Sequence, residues 1–264
     1  MSIHSEGQIA ASETGEVSTE LKRVMGPKLL LLFIVGDILG TGVYALTGDV
    51  AEKVGGAAWA PFLVAFLIAM VTAFSYLELV TKYPQAAGAA LYTYRAFGIH
   101  FLTFMVAFTV MCSGITSAST ASRAFASNLA KGFGLDTTNK TLVMLIALGF
   151  MALVMAVNFR GVGESVKANI VLTAVELSGL LLVILVGFYA LFAGKTDFSR
   201  TMVFESGDDK SAFLAVTAAT ALAFFAMVGF EDSVNMAEET KDPVRTFPRM
   251  MILGISITGV IYLL

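Results

Sequence analysis

The 264-residue chain is 57% hydrophobic and 14% charged, against roughly 45–50% and about 25% in soluble domains. That excess excludes a water-soluble globule, and a net charge of −3 excludes nothing further. The single cysteine, Cys112, excludes an intrachain disulfide and a cysteine metal cluster.

Residues 1–27 are polar and carry Glu6, Glu13, Glu16 and Glu20. They lack the apolar core of a cleaved signal and read as a disordered cytoplasmic tail. Charge then vanishes over residues 54–77, 96–122, 141–159, 177–194 and 211–230. Each run is long enough to cross a hydrocarbon layer of roughly 30 Å as a helix, the form in which a backbone satisfies its own hydrogen bonds in lipid. The ten-residue alternation of a barrel is missing.

Seven helical segments are predicted, at about 28–46, 57–80, 99–124, 140–158, 165–192, 212–236 and from 250 onward. A glycine- and alanine-rich approach, 84–98, precedes the third. The last, residues 250–264, is uncharged and short for a span, so the chain is expected to be a truncated part of a longer protein. With the N-terminus inside, ten Lys and Arg lie in cytoplasmic loops and seven outside. That excess orients the chain N-inside.

The first segment is unusual: Asp37 lies among Gly36, Gly40 and Gly42. Each glycine weakens a helix by about 1 kcal/mol relative to alanine, and a mid-membrane carboxylate costs at least about 2.5–3.5 kcal/mol. Unwinding is therefore expected at Gly40-Thr41-Gly42. Amides opening the second half-helix could hold a carboxylate, and freed carbonyls could hold an ammonium group. Alternatively, Gly36 and Gly40 form a GxxxG packing face. The sixth segment repeats the signal, with Gly229 beside Glu231 and Asp232. A pair of interrupted helices in corresponding positions points to a transporter site; both acids would otherwise sit at the membrane surface.

Glu176 lies halfway along the fifth segment. An intramembrane acid is a functional candidate or a protonated structural group. Soluble-enzyme motifs are absent: Gly194-Lys195-Thr196 lacks the earlier P-loop glycine, and Gly161-Val-Gly163 lacks the rest of a dinucleotide fingerprint. His4 and His100 stand alone, which disfavours a histidine metal site. Asp242 before Pro243 suits a helix start, or else lies in a solvated loop.

Four blocks carry a family resemblance. They are Gly40-Thr-Gly-Val-Tyr-Ala-Leu-Thr-Gly48; Tyr83-Pro-Gln-Ala-Ala-Gly88 with Tyr92-Thr-Tyr94; and Asn158-Phe-Arg-Gly-Val162 with Glu164 and Ser165. The fourth runs from Phe225 to Glu231, followed by Ala237-Glu-Glu239, Pro243 and Pro248-Arg249. In this order they resemble the amino acid–polyamine–organocation (APC) superfamily, and within it the cationic-amino-acid-transporter-like branch.

The resemblance implies an all-α integral membrane protein with a five-plus-five inverted-repeat, leucine-transporter-like fold. Residues 28–192 would form the first repeat and 193–264 the start of the second, truncated before helices 8 and 10. It implies substrate carboxylate binding at the amides around Gly40, Thr41 and Gly42. The amine would go to the carbonyls of Ile38, Phe225 and Val228 beside Gly229, with Phe225 as an aromatic gate. Asp37, Glu176 and Glu231 are the proton-coupling candidates. Glu176 falls where several relatives carry a lysine, and Asp37 where the residue is commonly small and uncharged; an acid cannot hold a lysine's positive charge near the first helix.

The expected function is amino acid import across the cell membrane by alternating access, coupled to protons. The alternatives are polyamine or organic-cation transport, or a membrane-embedded sensor or channel. The expected partners are an amino acid, the lipid bilayer and the protein's remaining helices; no cofactor, enzyme chemistry or nucleic acid is expected.

Overall fold

The computed structural model describes residues 23–160, 162–205 and 211–264. Tail residues 1–22, Gly161 and the 206–210 stretch with Asp208 and Asp209 lie outside the described residues. Nine α-helices are described: α1 (Pro27–Ile38), α2 (Thr41–Val54), α3 (Trp59–Lys82), α4 (Gly88–Phe97), α5 (His100–Gly132), α6 (Lys140–Phe159), α7 (Val162–Phe192), α8 (Ala212–Met227) and α9 (Pro243–Leu263). Short 3-10 turns cover Phe198–Met202 and Asp232–Met236.

Among the described residues, six helices are long and apolar enough to cross a membrane. The bent pair α1 and α2, meeting at 41°, makes a seventh. This is an all-helical, multi-pass membrane protein. Many large apolar side chains, such as Leu182, Val183 and Leu185 on α7, are exposed, a surface suited to an apolar surrounding rather than to water.

Four boundaries differ from expectation, among them the end of the third segment, which runs past Ala124 to Gly132. The approach at 84–98 contains a helix, α4 (Gly88–Phe97), whose Tyr92 is buried. The first span continues past Leu46 to Val54. The seventh begins at Pro243, seven residues before Met250, giving 21 residues rather than a short stub. Proline suits the first helical turn because it lacks a hydrogen-bond donor that the turn does not need. The charges of Arg245 and Arg249 disguise this start in the sequence. Asp242 precedes it with φ 48° but makes no side-chain cap.

The core is built by α1, α3, α8 and α9. Ala65, Ala69 and Ala73 form a buried stripe on α3, and Ala215, Ala219 and Ala223 form another on α8. Small residues at every fourth position let helices approach closely where lipid offers no hydrophobic drive, and α3 packs on both α8 and α9. Leu30, Ile34, Met251 and Ile255 fill the seam between α1 and α9. Met25, within the expected tail, is fully buried. Its N–H donates to Glu239 O at 3.0 Å, and its carbonyl accepts from Lys241 N at 2.8 Å.

Candidate functional site

The first break occupies Leu39–Gly40. Helix α1 ends at Ile38, and Gly40, at φ −40° and ψ −169°, turns the chain so that α2 starts at Thr41. Thr41 and Gly42 are thus helical, and the non-helical stretch is one residue pair upstream of the centre of the expected Gly40-Thr41-Gly42 unwinding. An added Cβ at Gly40 would meet only Asp37 O of its own turn, whereas one at Gly36 would overlap the Thr173 hydroxyl of α7. Gly36 therefore packs and Gly40 bends, so the two do not form one GxxxG face.

The second break follows Met227. Val228 is extended, Gly229 has φ 132°, and the 3-10 turn starts at Asp232. Positive φ of this size is strained for any residue with a Cβ. The Gly229 amide donates to Glu231 Oε2 at 2.9 Å, and the Asp232 amide donates to Gly229 O at 3.0 Å. Glu231 thus satisfies a backbone donor released by the break it adjoins. Glu231 is half-buried and Asp232 is exposed.

The two breaks cross each other. A Cβ at Gly229 would lie 2.7 Å from Asp37 O and 3.1 Å from Ile38 N. A Cβ at Gly42 would lie 2.8 Å from Ala226 Cα. Real Cβ contacts are not this short, so both glycines hold bare backbone against bare backbone. Ile38 is buried, and its carbonyl accepts from the Tyr262 hydroxyl of α9 at 2.7 Å. The Phe225 carbonyl accepts from Val228 N at 3.4 Å, and the Phe225 ring is half exposed at the end of α8. Ile38, Gly40, Thr41, Gly42, Phe225, Val228 and Gly229 therefore all lie on the two crossing segments.

The acids divide into two groups. The Asp37 carboxyl lies within electrostatic reach of Glu231 and Asp232. Among the described residues Asp37 Oδ2 is buried without a hydrogen-bond partner. Glu176 belongs to a separate cluster, in which its carbonyl accepts from the Tyr44 hydroxyl at 3.2 Å. Tyr262 lies within electrostatic reach of Glu176 and Tyr44, so its hydroxyl stands between this cluster and the first break. Sequence reasoning missed Tyr262, Tyr44 and Ala226. A lone tyrosine in each of two apolar helical stretches was the available signal for the first two; nothing marked Ala226 among its neighbouring alanines.

Among the described residues no group of His, Cys, Asp and Glu could hold a metal ion. Two interrupted membrane helices crossing at their breaks, with an acid beside each, is an arrangement for binding a polar solute within the bilayer. The sequence pattern described as "Amino acid permease" matches residues 27–264. The chain belongs to the amino acid permease family. Among curated relatives it is 28% identical to "Cationic amino acid transporter 4" of Homo sapiens, over 96% of this chain and 41% of that protein. It is likewise 28% identical to "Branched-chain amino acid permease BcaP" of Bacillus subtilis, over 96% of this chain and 55% of the relative. To the "Methylthioribose transporter" of the same organism it is 27% identical, over 93% of this chain and 54% of the relative. The chain thus spans about half the length of the curated relatives it matches. The family is one of transporters, not enzymes, and the APC resemblance holds.

Proposed function

We propose that this permease-family chain forms the substrate-binding part of an amino acid transporter working by alternating access. The crossing of Asp37–Ile38 with Gly229, and of Gly42 with Ala226, carries this reading. Peptide groups freed at a helix break are the partners that a zwitterion requires in a medium without water. Amides at Gly40, Thr41 and Gly42 open α2 and, with its positive dipole end, receive the carboxylate. The carbonyls of Ile38, Phe225 and Val228 end the preceding half-helices and receive the amine. Phe225 covers the bound substrate.

Spans one and six then occupy equivalent places in a five-plus-five inverted repeat, with residues 28–192 as its first half and 193–264 opening the second. The N-terminus lies in the cytoplasm and the protein in the cell membrane, in accord with the loop bias of Lys and Arg. Protons drive uptake. Glu231, whose carboxylate holds the Gly229 amide, is placed to couple its charge to the geometry of the break.

Uptake by the full-length protein in proteoliposomes tests this. Arginine and leucine should be offered in turn, with and without an inward proton gradient. Saturable uptake of an amino acid, stimulated by the gradient, is expected. Uptake indifferent to the gradient removes proton coupling, and binding without uptake replaces the transporter with a sensor.

A further inference from the structure

A second polar site lies away from the crossing, where α1 begins and α3 ends. A cavity of about 310 Å³ is lined by Arg23, Lys82, Tyr83, Pro84, Gln85, Arg95 and Glu238. Lys82 Nζ lies 5.5 Å and the Arg95 guanidinium 5.6 Å from the centre of the Tyr83 ring. Cation–ring contacts of this kind fix the direction of a cationic head without neutralising it.

Among the described lining residues the one acid, Glu238, is already engaged: its Oε2 accepts from the Ala86 amide at 3.2 Å. Among the described residues no carboxylate pairs with Arg23, Lys82 or Arg95. Three cations therefore converge on one cavity with one carboxylate, an excess of positive charge among the described residues. Lys82 closes a 24-residue apolar helix, which sets the cavity at the depth of lipid headgroups.

We propose that this cavity binds a phosphate-bearing anion, supplied by an anionic phospholipid headgroup of the adjacent leaflet. Arg95 and Arg23 offer planar donor pairs that match phosphate oxygens, and Lys82 adds a point charge. Basic pockets between spans at the cytoplasmic side hold lipid headgroups by this chemistry. The bound anion joins two separate parts of the chain, the segment preceding α1 and the ends of α3 and α4, beside the loop before α9 that carries the opposing Glu238. Two residues beyond Arg23, Met25 is already pinned to that loop, so the anion strengthens an existing closure of this end of the bundle. The site needs only the multi-pass membrane fold and does not depend on the transport reading.

Thermal unfolding of the full-length protein in neutral detergent tests it, at physiological salt, with added short-chain phosphatidylglycerol, phosphatidylcholine or inorganic phosphate. Phosphatidylglycerol should raise the midpoint saturably and phosphatidylcholine should not. Lys82→Gln and Arg95→Gln should each weaken half-saturation about fivefold, the equivalent of about 1 kcal/mol per basic residue. Glu238→Gln keeps an acceptor for Ala86 but removes the opposing charge, and should tighten it. That gain cannot arise from unfolding, so it keeps the test decisive where a cation variant fails to fold. Equal shifts with both lipids, or half-saturation unchanged in all three variants, overturn the site. The same variant-sensitive shift with inorganic phosphate alone keeps the anion site and overturns its lipid source.

Discussion

Gly229 and Asp37 face each other, backbone to backbone, so closely that a Cβ on residue 229 would lie 2.7 Å from the Asp37 carbonyl oxygen. They are far apart in the chain, on two different interrupted spans. The contact is possible only because residue 229 has no side chain and holds φ 132°.

Gly229→Ala meets two obstacles at once. The backbone conformation is strained by about 1–3 kcal/mol for a residue with a Cβ, and the methyl group collides with α1. Amino acid binding should fall at least about tenfold and the unfolding midpoint should drop, as read by substrate-dependent thermal unfolding. Undiminished binding would show that the two breaks do not build the site.

Gly42→Val should abolish amino acid binding while the protein remains inserted. Its Cβ would lie 2.8 Å from Ala226 Cα, forcing α2 away from α8 just where the amides open. Isothermal binding measurements beside a membrane-fraction assay separate the lost site from failed insertion. Gly48→Val makes the comparison, because a Cβ there meets nothing within 4 Å; it should bind normally.

Tyr262→Phe removes only the hydroxyl that donates to Ile38 O. The ring contact with Phe62, edge-on at 6.0 Å between centres, is kept. A buried carbonyl losing its donor costs about 1–3 kcal/mol. The midpoint of unfolding should fall, and binding should weaken because the last carbonyl of α1 is no longer held in place. A variant equal to the parent in both would place the α1 terminus under some other control.

Glu231→Gln retains an oxygen to accept from the Gly229 amide but carries no charge. Amino acid binding should change less than about threefold, within the scatter of a replaced hydrogen bond, while stimulation of uptake by a proton gradient disappears. Loss of binding with retained stimulation would reverse the assigned role.

Glu239 lies in the loop before α9 and is buried, with Oε2 unpartnered among the described residues. Burial, and then the neighbouring Glu238 charge, push its carboxyl above the usual 4.5. The folded state therefore binds a proton that the unfolded state has already released. Stability should decline as pH rises from 4.5 through the raised value. Glu239→Gln should flatten that decline in a thermal unfolding series, and an unchanged slope would assign the pH dependence to another group.

Composition and charge-free runs determined that this chain is helical and crosses the membrane, because lipid leaves a backbone no other means of pairing its polar groups. The glycines beside acids at Asp37 and at Glu231 also marked where two spans lose regular geometry, since glycine and an intramembrane carboxylate each weaken a helix locally. Such effects act within a few residues and are legible in sequence.

Contacts between distant segments are not. That Gly36 and Gly42 pack while Gly40 bends was decided by which neighbour each one meets, Thr173, Ala226 or none. That Asp37 joins Glu231 while Glu176 stands with Tyr44 was decided by how the spans cross. Tyr262 reaches Ile38 across 224 positions of chain, and the start of α9 at Pro243 was concealed by its own charged first turns. The glycine contacts follow from close packing of helices in three dimensions, where a single missing Cβ fixes the distance between two backbones.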